Sequence, residues 1–175
     1  ITSIPYVYNE DVDGKQGSQS FDFDIFNTFA EELKSIRIFC ESQLKLYLEE
    51  IEGIDIDRAV IEISQSWLTK LKPQEFHSLH NHRNSYISGI LYIKCLPIDR
   101  IQFSNQSHYT HSTLVFPKNR ATQFNAEAIS IDVKDGDFLM FRSMVPHQVG
   151  PNETNIERIS LSFDTFPTYL PSLYH

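Results

Sequence analysis

The sequence predicts a mainly β protein with N-terminal helices, an α+β chain whose strands form a jelly roll or a barrel. Between residues 24 and 51, apolar residues recur at steps of three and four, which is the pattern of an amphipathic helix. After Asp57 the period falls to about two, and short segments rich in Val, Ile, Phe and Tyr alternate with turn residues. With 175 residues, 41% hydrophobic and 13% aromatic, the chain suits one core, and we expect a single domain over residues 1–175.

The first third of the chain should contain an arm and a helix. Residues 1–19 are polar and show no period, so we expect a loose arm. The covering helix should span residues 24–51 and end near Gly53, and its length predicts a kink or a break near residues 35–40. Its apolar stripe, which should pack on a sheet, consists of Phe29, Leu33, Ile36, Cys40, Leu44, Tyr47 and Ile51.

Residues 59–166 should form the jelly-roll core, because eight short strands are typical of a jelly roll or a barrel. Asp135-Gly136 is typical of a tight turn between two of these strands. The predicted strands lie near residues 59–64, 66–72, 86–94, 100–104, 112–116, 128–133, 137–142 and 157–165.

Charge and cysteine usage disfavour several classes of function. Fifteen Lys and Arg against 23 Asp and Glu give a net charge of −8, which disfavours binding to nucleic acid or to an anionic membrane. The longest apolar runs are too short to span a bilayer. Cys40 and Cys95 do not form a C-x-x-C pair, and no leader-like segment precedes Ile1. We therefore expect a soluble, cytoplasmic protein, and the oligomeric state stays open.

Histidines mark the candidate site. Three of the seven fall within six residues, at His77, His80 and His82. In an extended segment alternate side chains share a face, so His80 and His82 should point the same way and His77 the opposite way. An isolated pair of this kind is more often part of a polar loop than of a metal site.

Two downstream segments support a metal site. After the turn at residues 135–136, an apolar strand leads to His147, which the pattern places at a strand end. Eleven residues later a strict alternation puts Arg158, Ser160 and Ser162 on one face of a strand and the intervening apolar residues on the other. Taken alone, such a polar face is also typical of a solvated strand.

Together these segments resemble the Fe(II)- and 2-oxoglutarate-dependent oxygenases, in particular a bacterial and phage group related to prolyl hydroxylases. The resemblance covers roughly residues 60–166. It implies a double-stranded β-helix, the jelly-roll or cupin-like fold, and an enzyme that couples oxidative decarboxylation of 2-oxoglutarate to hydroxylation, with release of succinate and CO2. The matching pieces are Trp67, His80-Asn-His82, residues 88–92, Gly136-Asp137, residues 147–149 and residues 158–163.

The resemblance implies a role for each main candidate residue. His80, His82 and His147 would bind Fe(II) and leave positions open for the keto acid and for the co-substrate O2. The fork of Arg158 would bind the far carboxylate of 2-oxoglutarate, and the Ser160 hydroxyl would add a second donor. The three histidines and Arg158 form the expected catalytic set.

Other residues, and the primary substrate, are less closely defined. Tyr92 is a further donor candidate for 2-oxoglutarate, although an ordinary strand aromatic explains it equally well. His108 and His111 lie in a loop-like segment, where solvated histidines are the simpler explanation. The segment at residues 104–126 is the predicted specificity loop, and the substrate is either a peptide or protein side chain, such as a prolyl residue, or a small molecule.

Position 82 departs from the broader superfamily, which has Asp or Glu there. With His82 the predicted site lacks a carboxylate ligand and carries one more net positive charge. Two alternatives therefore stay open: a cupin-like metal-binding jelly roll that acts as a zinc hydrolase or isomerase, and a non-catalytic binding module. The pair Arg158 and Ser160 favours the keto-acid enzyme, since a hydrolase has no evident need for it.

Overall fold

The computed structural model describes residues 5–11, 14–105, 119–120, 122 and 126–171. Within this part of the chain there are two helices, α1 (Ile25–Thr28) and α2 (Lys34–Glu50). The strands are β1 (Tyr6–Asp11), β2 (Gly14–Ser20), β3 (Val60–Leu71), β4 (His77–His80), β5 (Ile87–Lys94), β6 (Asp99–Ser104), β7 (Ala128–Val133), β8 (Phe138–Arg142), β9 (His147–Val149) and β10 (Arg158–Tyr169).

These strands form two antiparallel sheets. The larger sheet has six strands in the order β1-β2-β3-β10-β5-β8, and the smaller has four in the order β4-β9-β6-β7. β10 lies inside the larger sheet and pairs with β3 on one side and with β5 on the other. The chain is therefore mostly β, as the period of two predicts.

The helices cover one face of the larger sheet. Leu33, just before α2, and Cys40 of α2 belong to the same buried cluster as Leu68 of β3 and Leu161 and Phe163 of β10. Full burial of one such apolar side chain stabilises a fold by about 1.5–3 kcal/mol. This cluster therefore attaches the helical layer to the two long strands.

The predicted apolar stripe packs on this sheet over most of its length. Phe29 and Ile36 contact the same cluster, and Leu44 is buried beside it, whereas Ile51 is exposed just beyond the end of α2. The helix is interrupted over residues 29–33, a few residues before the predicted break. Neither described helix is both long enough and apolar enough to cross a membrane.

The opposite face of the larger sheet packs on the smaller sheet. Their shared core contains Leu71, Ile90 and Tyr92 from the larger sheet and Ile101 and Val149 from the smaller one. The polar residues that the alternation predicts on one face of β10 lie on this side. The polar face is thus enclosed between the sheets and is not solvated.

The prediction of a loose arm over residues 1–19 is wrong. This segment contains β1 and β2, and β2 joins the larger sheet where Ser18 pairs with Lys70 of β3. β2 has no apolar side chain, so hydrophobic periodicity gave no signal there, and backbone pairing holds it in the sheet. A Cβ at Gly17 would lie 2.2 Å from Leu71 Cδ2, so the close approach of β2 to the core requires a residue without a side chain.

Most predicted strands are present, with changed boundaries. The segments 59–64 and 66–72 form one bulged strand, β3, while β4 and β9 were not predicted. The turn at Asp135-Gly136 is present, and Gly136 has the positive φ of 86° that favours glycine. The predicted strand at 112–116 lies outside the described residues.

Candidate metal centre

Three histidines converge between the sheets. His80 ends β4, His82 follows two residues later, and His147 begins β9. His80 pairs with His147 across β4 and β9. The ring centroids are 4.3 Å apart for His80 and His147, 5.1 Å for His82 and His147, and 5.3 Å for His80 and His82. Their ligand atoms all lie within 4.8 Å of one another, close enough to share one metal ion.

Hydrogen bonds orient the rings of His80 and His147. Nδ1 of His80 lies 2.7 Å from the Ser78 carbonyl oxygen, and Nδ1 of His147 lies 3.0 Å from the Val145 carbonyl oxygen. Because a carbonyl oxygen only accepts, Nδ1 of each ring must carry the proton and donate it. The lone pair is then on Nε2, which is the nitrogen available to a metal ion.

These two rings are also held in the neutral form that a metal ligand requires. Burial lowers the pKa of His147 to about 4, and the neighbouring His80 contributes to the shift. Burial lowers the pKa of His80 as well. An imidazole binds a metal only when it is deprotonated, so both rings can bind at neutral pH without losing a proton.

The third ring, that of His82, is held by a carboxylate. Its Nδ1 lies 2.7 Å from Oδ1 of Asp164 on β10. The Ser88 hydroxyl donates to the same oxygen at 2.6 Å, and the Ser143 hydroxyl lies 2.8 Å from that of Ser88. Nε2 of His82 is therefore also available to a metal. Asp164 was not among the predicted site residues, although its place two residues beyond Ser162 on the polar face of the strand was a usable signal.

The predicted orientation of His77 is wrong, because this residue lines the same pocket as the three histidines. β4 and β9 pair at His77–Val149 and at His80–His147, so three residue steps of β4 span two of β9. This bulge shifts the alternation by one residue and turns His77 and His80 to the same side. Burial lowers the pKa of His77 to about 3, so a fourth neutral imidazole lies in the pocket.

The pocket also contains Arg158, which lies in a buried ion pair. Its Nε donates to Asp99 Oδ2 at 2.8 Å, and only 3% and 2% of the two side chains are exposed. Ser160 is buried on the same face of β10 and lines the same pocket. The ion pair was not predicted, since the two residues are 59 positions apart and no sequence pattern connects them.

Tyr92 has an unsatisfied polar atom beside Arg158. The guanidinium lies 5.0 Å from the centroid of the tyrosine ring. The Tyr92 hydroxyl is buried and has no hydrogen-bond partner among the described residues, while burial raises its pKa and keeps it protonated. A buried hydroxyl without a partner costs about 1–3 kcal/mol, so an acceptor that reaches it beside Arg158 would relieve this cost.

The remaining candidates do not extend the described site. The Trp67 ring lies 5.6 Å from the His82 ring and forms part of the pocket wall. His108 and His111 lie outside the described residues, as does most of the predicted specificity loop at residues 104–126.

Comparison with solved structures shows the fold. The chain is similar to the alpha-ketoglutarate-dependent epimerase SnoN from nogalamycin biosynthesis, with a TM-score of 0.66 and 14% identity over 97% of this chain and 69% of that chain. It is also similar to an oxidoreductase of the 2OG-Fe(II) oxygenase family from Burkholderia pseudomallei, with a TM-score of 0.64 and 11% identity over 94% of this chain and 74% of that chain. A third neighbour is HygX from Streptomyces hygroscopicus with nickel and 2-oxoglutarate bound, with a TM-score of 0.62 and 12% identity over 96% of this chain and 75% of that chain. A search of curated protein sequences gave no match.

A family model identifies the chain more closely than these folds do. Residues 65–164, more than half of the sequence, match the family described as "Putative 2OG-Fe(II) oxygenase". The chain therefore belongs to the 2OG-Fe(II) oxygenase family and is an oxidoreductase, which confirms the resemblance seen in the sequence. The matched segment contains the three converging histidines, Tyr92, Arg158 and Ser160.

Proposed function

We propose that this chain is an Fe(II)- and 2-oxoglutarate-dependent dioxygenase that hydroxylates its primary substrate, with release of succinate and CO2. In this proposal His80, His82 and His147 bind Fe(II) through Nε2. One observation carries it: the Nδ1 atom of each ring has a hydrogen-bond acceptor, which leaves three Nε2 lone pairs for one ion. Fe(II) chelated by a 2-oxo acid supplies the activation of O2 that couples decarboxylation of the acid to hydroxylation.

We assign the far carboxylate of 2-oxoglutarate to the part of the pocket at Arg158. Since Asp99 accepts from Nε, the terminal nitrogens of the Arg158 guanidinium are the donors assigned to this carboxylate. The unsatisfied hydroxyl of Tyr92 supports the assignment, because it needs an acceptor at this place. Ser160 adds a further hydroxyl on the same face of β10.

We further propose that residues 59–166 form the catalytic unit, a double-stranded β-helix of the jelly-roll or cupin-like type. Residues 24–51 would cover it, all within one domain over residues 1–175. The shared core between the two sheets and the packing of α2 on the larger sheet support this organisation.

Two classes of primary substrate fit the proposal. A small molecule is favoured by the neighbours whose structures hold one, nogalamycin RO in SnoN and hygromycin B in HygX. A prolyl or other peptide side chain is favoured by the prolyl-hydroxylase-like pattern of the sequence. Stimulation of succinate formation by panels of prolyl peptides and of small molecules separates the two classes.

Anaerobic calorimetry with Fe(II) tests the metal ligands. We expect one ion per chain, and Ala at His80, His82 or His147 should weaken binding at least about 100-fold, or about 2.7 kcal/mol. His77→Ala is the matched control, because it removes an imidazole from the same pocket without removing an assigned ligand, and its Fe(II) affinity should stay within about threefold of wild type. An unchanged affinity in His147→Ala would show that the assignment is wrong.

A zinc hydrolase or isomerase is the second candidate, because three imidazoles without a carboxylate also suit Zn²⁺. Measurement of succinate formed from 2-oxoglutarate and O2, with Fe(II) and with Zn²⁺, separates the two. Turnover with Fe(II) only supports the dioxygenase. Hydrolysis of a test substrate with Zn²⁺ supports the second candidate. If neither succinate formation nor hydrolysis occurs with either metal, a non-catalytic binding module is supported.

A further inference from the structure

We infer that Asp164 is a positioning residue that supplies, through His82, the negative charge that the three-histidine site itself lacks. The inference rests on the proposed metal site and deepens it. In this arrangement the carboxylate is not a metal ligand itself. It lies one imidazole ring further from the metal and acts on it through His82.

The geometry distinguishes His82 from the other two ligands. Nδ1 of His80 and of His147 donates to a backbone carbonyl, which is a neutral acceptor. Nδ1 of His82 donates to the Asp164 carboxylate at 2.7 Å. Hydrogen bonds to an ionised acceptor are roughly twice as strong as neutral ones, and a carboxylate behind a metal-bound imidazole raises the basicity of the ring. His82 should therefore be the most strongly donating of the three ligands.

The position of His82 gives this difference its meaning. It is the second residue of the H-x-H pair, where the broader superfamily has Asp or Glu. A divalent ion on three neutral imidazoles retains a net charge of +2, whereas one carboxylate ligand reduces it to +1. Asp164 restores the lower value for the unit of metal, His82 and carboxylate.

The surroundings of Asp164 point the same way. Only 9% of its side chain is exposed, and a buried carboxylate is costly unless a cation or several hydrogen bonds compensate it. Among the described residues its ion-pair partner is His82, which is charged only when protonated. The Ser88 hydroxyl supplies one further hydrogen bond. A metal ion on Nε2 of His82 would provide the missing positive charge.

The backbone fixes Asp164 in this orientation. It pairs with Gln65 of β3 and with Ser88 of β5, so the ladder holds it from both sides. The hydroxyls of Ser88, Ser143 and Ser85 then continue in a chain with oxygen separations of 2.8 and 2.7 Å. Such a network keeps the carboxylate aligned with Nδ1 of His82 before a metal arrives.

Titration with Co²⁺, followed by its visible absorption, tests the inference in the wild type and three variants. Asp164→Asn retains an acceptor for Nδ1 of His82 but removes the charge, and should weaken Co²⁺ binding about 10- to 100-fold. His82→Asp moves the carboxylate into direct contact with the metal, where Asp164 becomes a neighbouring like charge. Adding Asp164→Asn to His82→Asp should therefore strengthen binding. The reversal of sign between the two backgrounds is a result that a merely structural role would not give.

Two further measurements keep the test decisive. Ser88→Ala removes the hydroxyl that donates to Asp164 but keeps the negative charge of that carboxylate, and it should weaken Co²⁺ binding less than about threefold. A loss of affinity equal to that of Asp164→Asn would overturn the inference. If Asp164→Asn does not fold, proton NMR of the zinc-loaded wild type replaces it. One of three Nδ1–H resonances should then lie clearly downfield of the other two, as expected for a hydrogen bond to a carboxylate, and three similar shifts would overturn the inference.

The same titrations separate this inference from the proposed function. If wild type and His147→Ala bind Co²⁺ equally, the metal site itself is wrong. If wild type binds Co²⁺ and His147→Ala does not, the metal site stands. The role of Asp164 is then refuted if Asp164→Asn changes Co²⁺ affinity equally in the wild-type and His82→Asp backgrounds. In the iron-loaded protein, Asp164→Asn should also raise the Fe(III)/Fe(II) potential, because it removes a negative charge that favours the oxidised ion.

Discussion

Replacing Asp99 with Ala separates the structural role of Arg158 from its proposed role in binding. In the wild type the two charged groups lie 2.8 Å apart and are almost fully buried. Removing one partner of a buried pair leaves an uncompensated charge, which typically costs about 3–5 kcal/mol. We therefore expect Asp99→Ala to lower the free energy of unfolding by about 3–5 kcal/mol in urea denaturation without ligand.

The same variant makes a prediction about the cosubstrate. In the proposed binding mode, the far carboxylate of 2-oxoglutarate would be the main counter-charge of Arg158 once Asp99 is removed. A ligand that binds only the native state adds RT ln(1 + [L]/Kd) to its stability, so 2-oxoglutarate with Zn²⁺ should stabilise Asp99→Ala more than wild type. Arg158→Ala should weaken 2-oxoglutarate binding by about 2–5 kcal/mol. Arg158→Lys should recover only part of this loss, because a point charge cannot reproduce the fork.

An exposed ion pair provides the control for Asp99→Ala. Asp132 lies 3.7 Å from Arg100, and their side chains are 84% and 56% exposed. Such a pair contributes about 0–1 kcal/mol, so Asp132→Ala should leave stability nearly unchanged. If Asp99→Ala destabilises no more than Asp132→Ala, the buried pair does not stabilise the fold as expected. If 2-oxoglutarate stabilises Asp99→Ala no more than wild type, Arg158 does not bind its far carboxylate.

Two further predictions concern stability. A Cβ at Gly89 would lie 2.3 Å from the Phe163 ring, so Gly89→Ala should lower the free energy of unfolding by about 1–3 kcal/mol. In a Phe163→Leu background, thermal unfolding should show a smaller loss from the same substitution. Strictly additive effects of the two substitutions would contradict the clash. The Arg142 hydrogen bonds lower the pKa of Glu52, so this carboxylate stabilises the fold above its ordinary pKa and the contribution is lost as the pH falls through the lowered value. Glu52→Gln should therefore destabilise at neutral pH but not in strong acid, and an equal loss in urea denaturation at both would contradict this.

Local periodicity was enough to predict the parts of the fold that depend on neighbouring residues. The apolar stripe of α2 and the alternation of Arg158, Ser160 and Ser162 each repeat within a few residues, so the buried face is readable without the partner element. The interruption at residues 29–33 shows the limit of this signal. The spacing of apolar residues continues through it, although the backbone does not remain helical.

The predictions failed where pairing between strands, rather than the local sequence, determines the structure. β2 has no apolar side chain and is held by β3, so its composition resembled that of a loop. The bulge in β4 belongs to its pairing with β9, and it changes the direction of His77 without leaving a mark in the sequence. The ion pair of Asp99 with Arg158 forms only when distant strands meet, so local spacing could not predict it. Asp164 was within reach of the alternation along β10, but its contact with His82 depends on a residue 82 positions away.

β10 combines two duties along one backbone. Its odd-numbered residues Leu161 and Phe163 anchor the helical layer, while the even-numbered residues Arg158, Ser160 and Ser162 line the pocket. A deletion of one residue in this strand would exchange the side chains on its two faces. Aliphatic groups would then lie in the pocket, and a guanidinium would lie in the apolar core beneath the helices. New substrate preferences are therefore expected to arise by changes outside β10, since a change of register in this strand would impair catalysis and folding together.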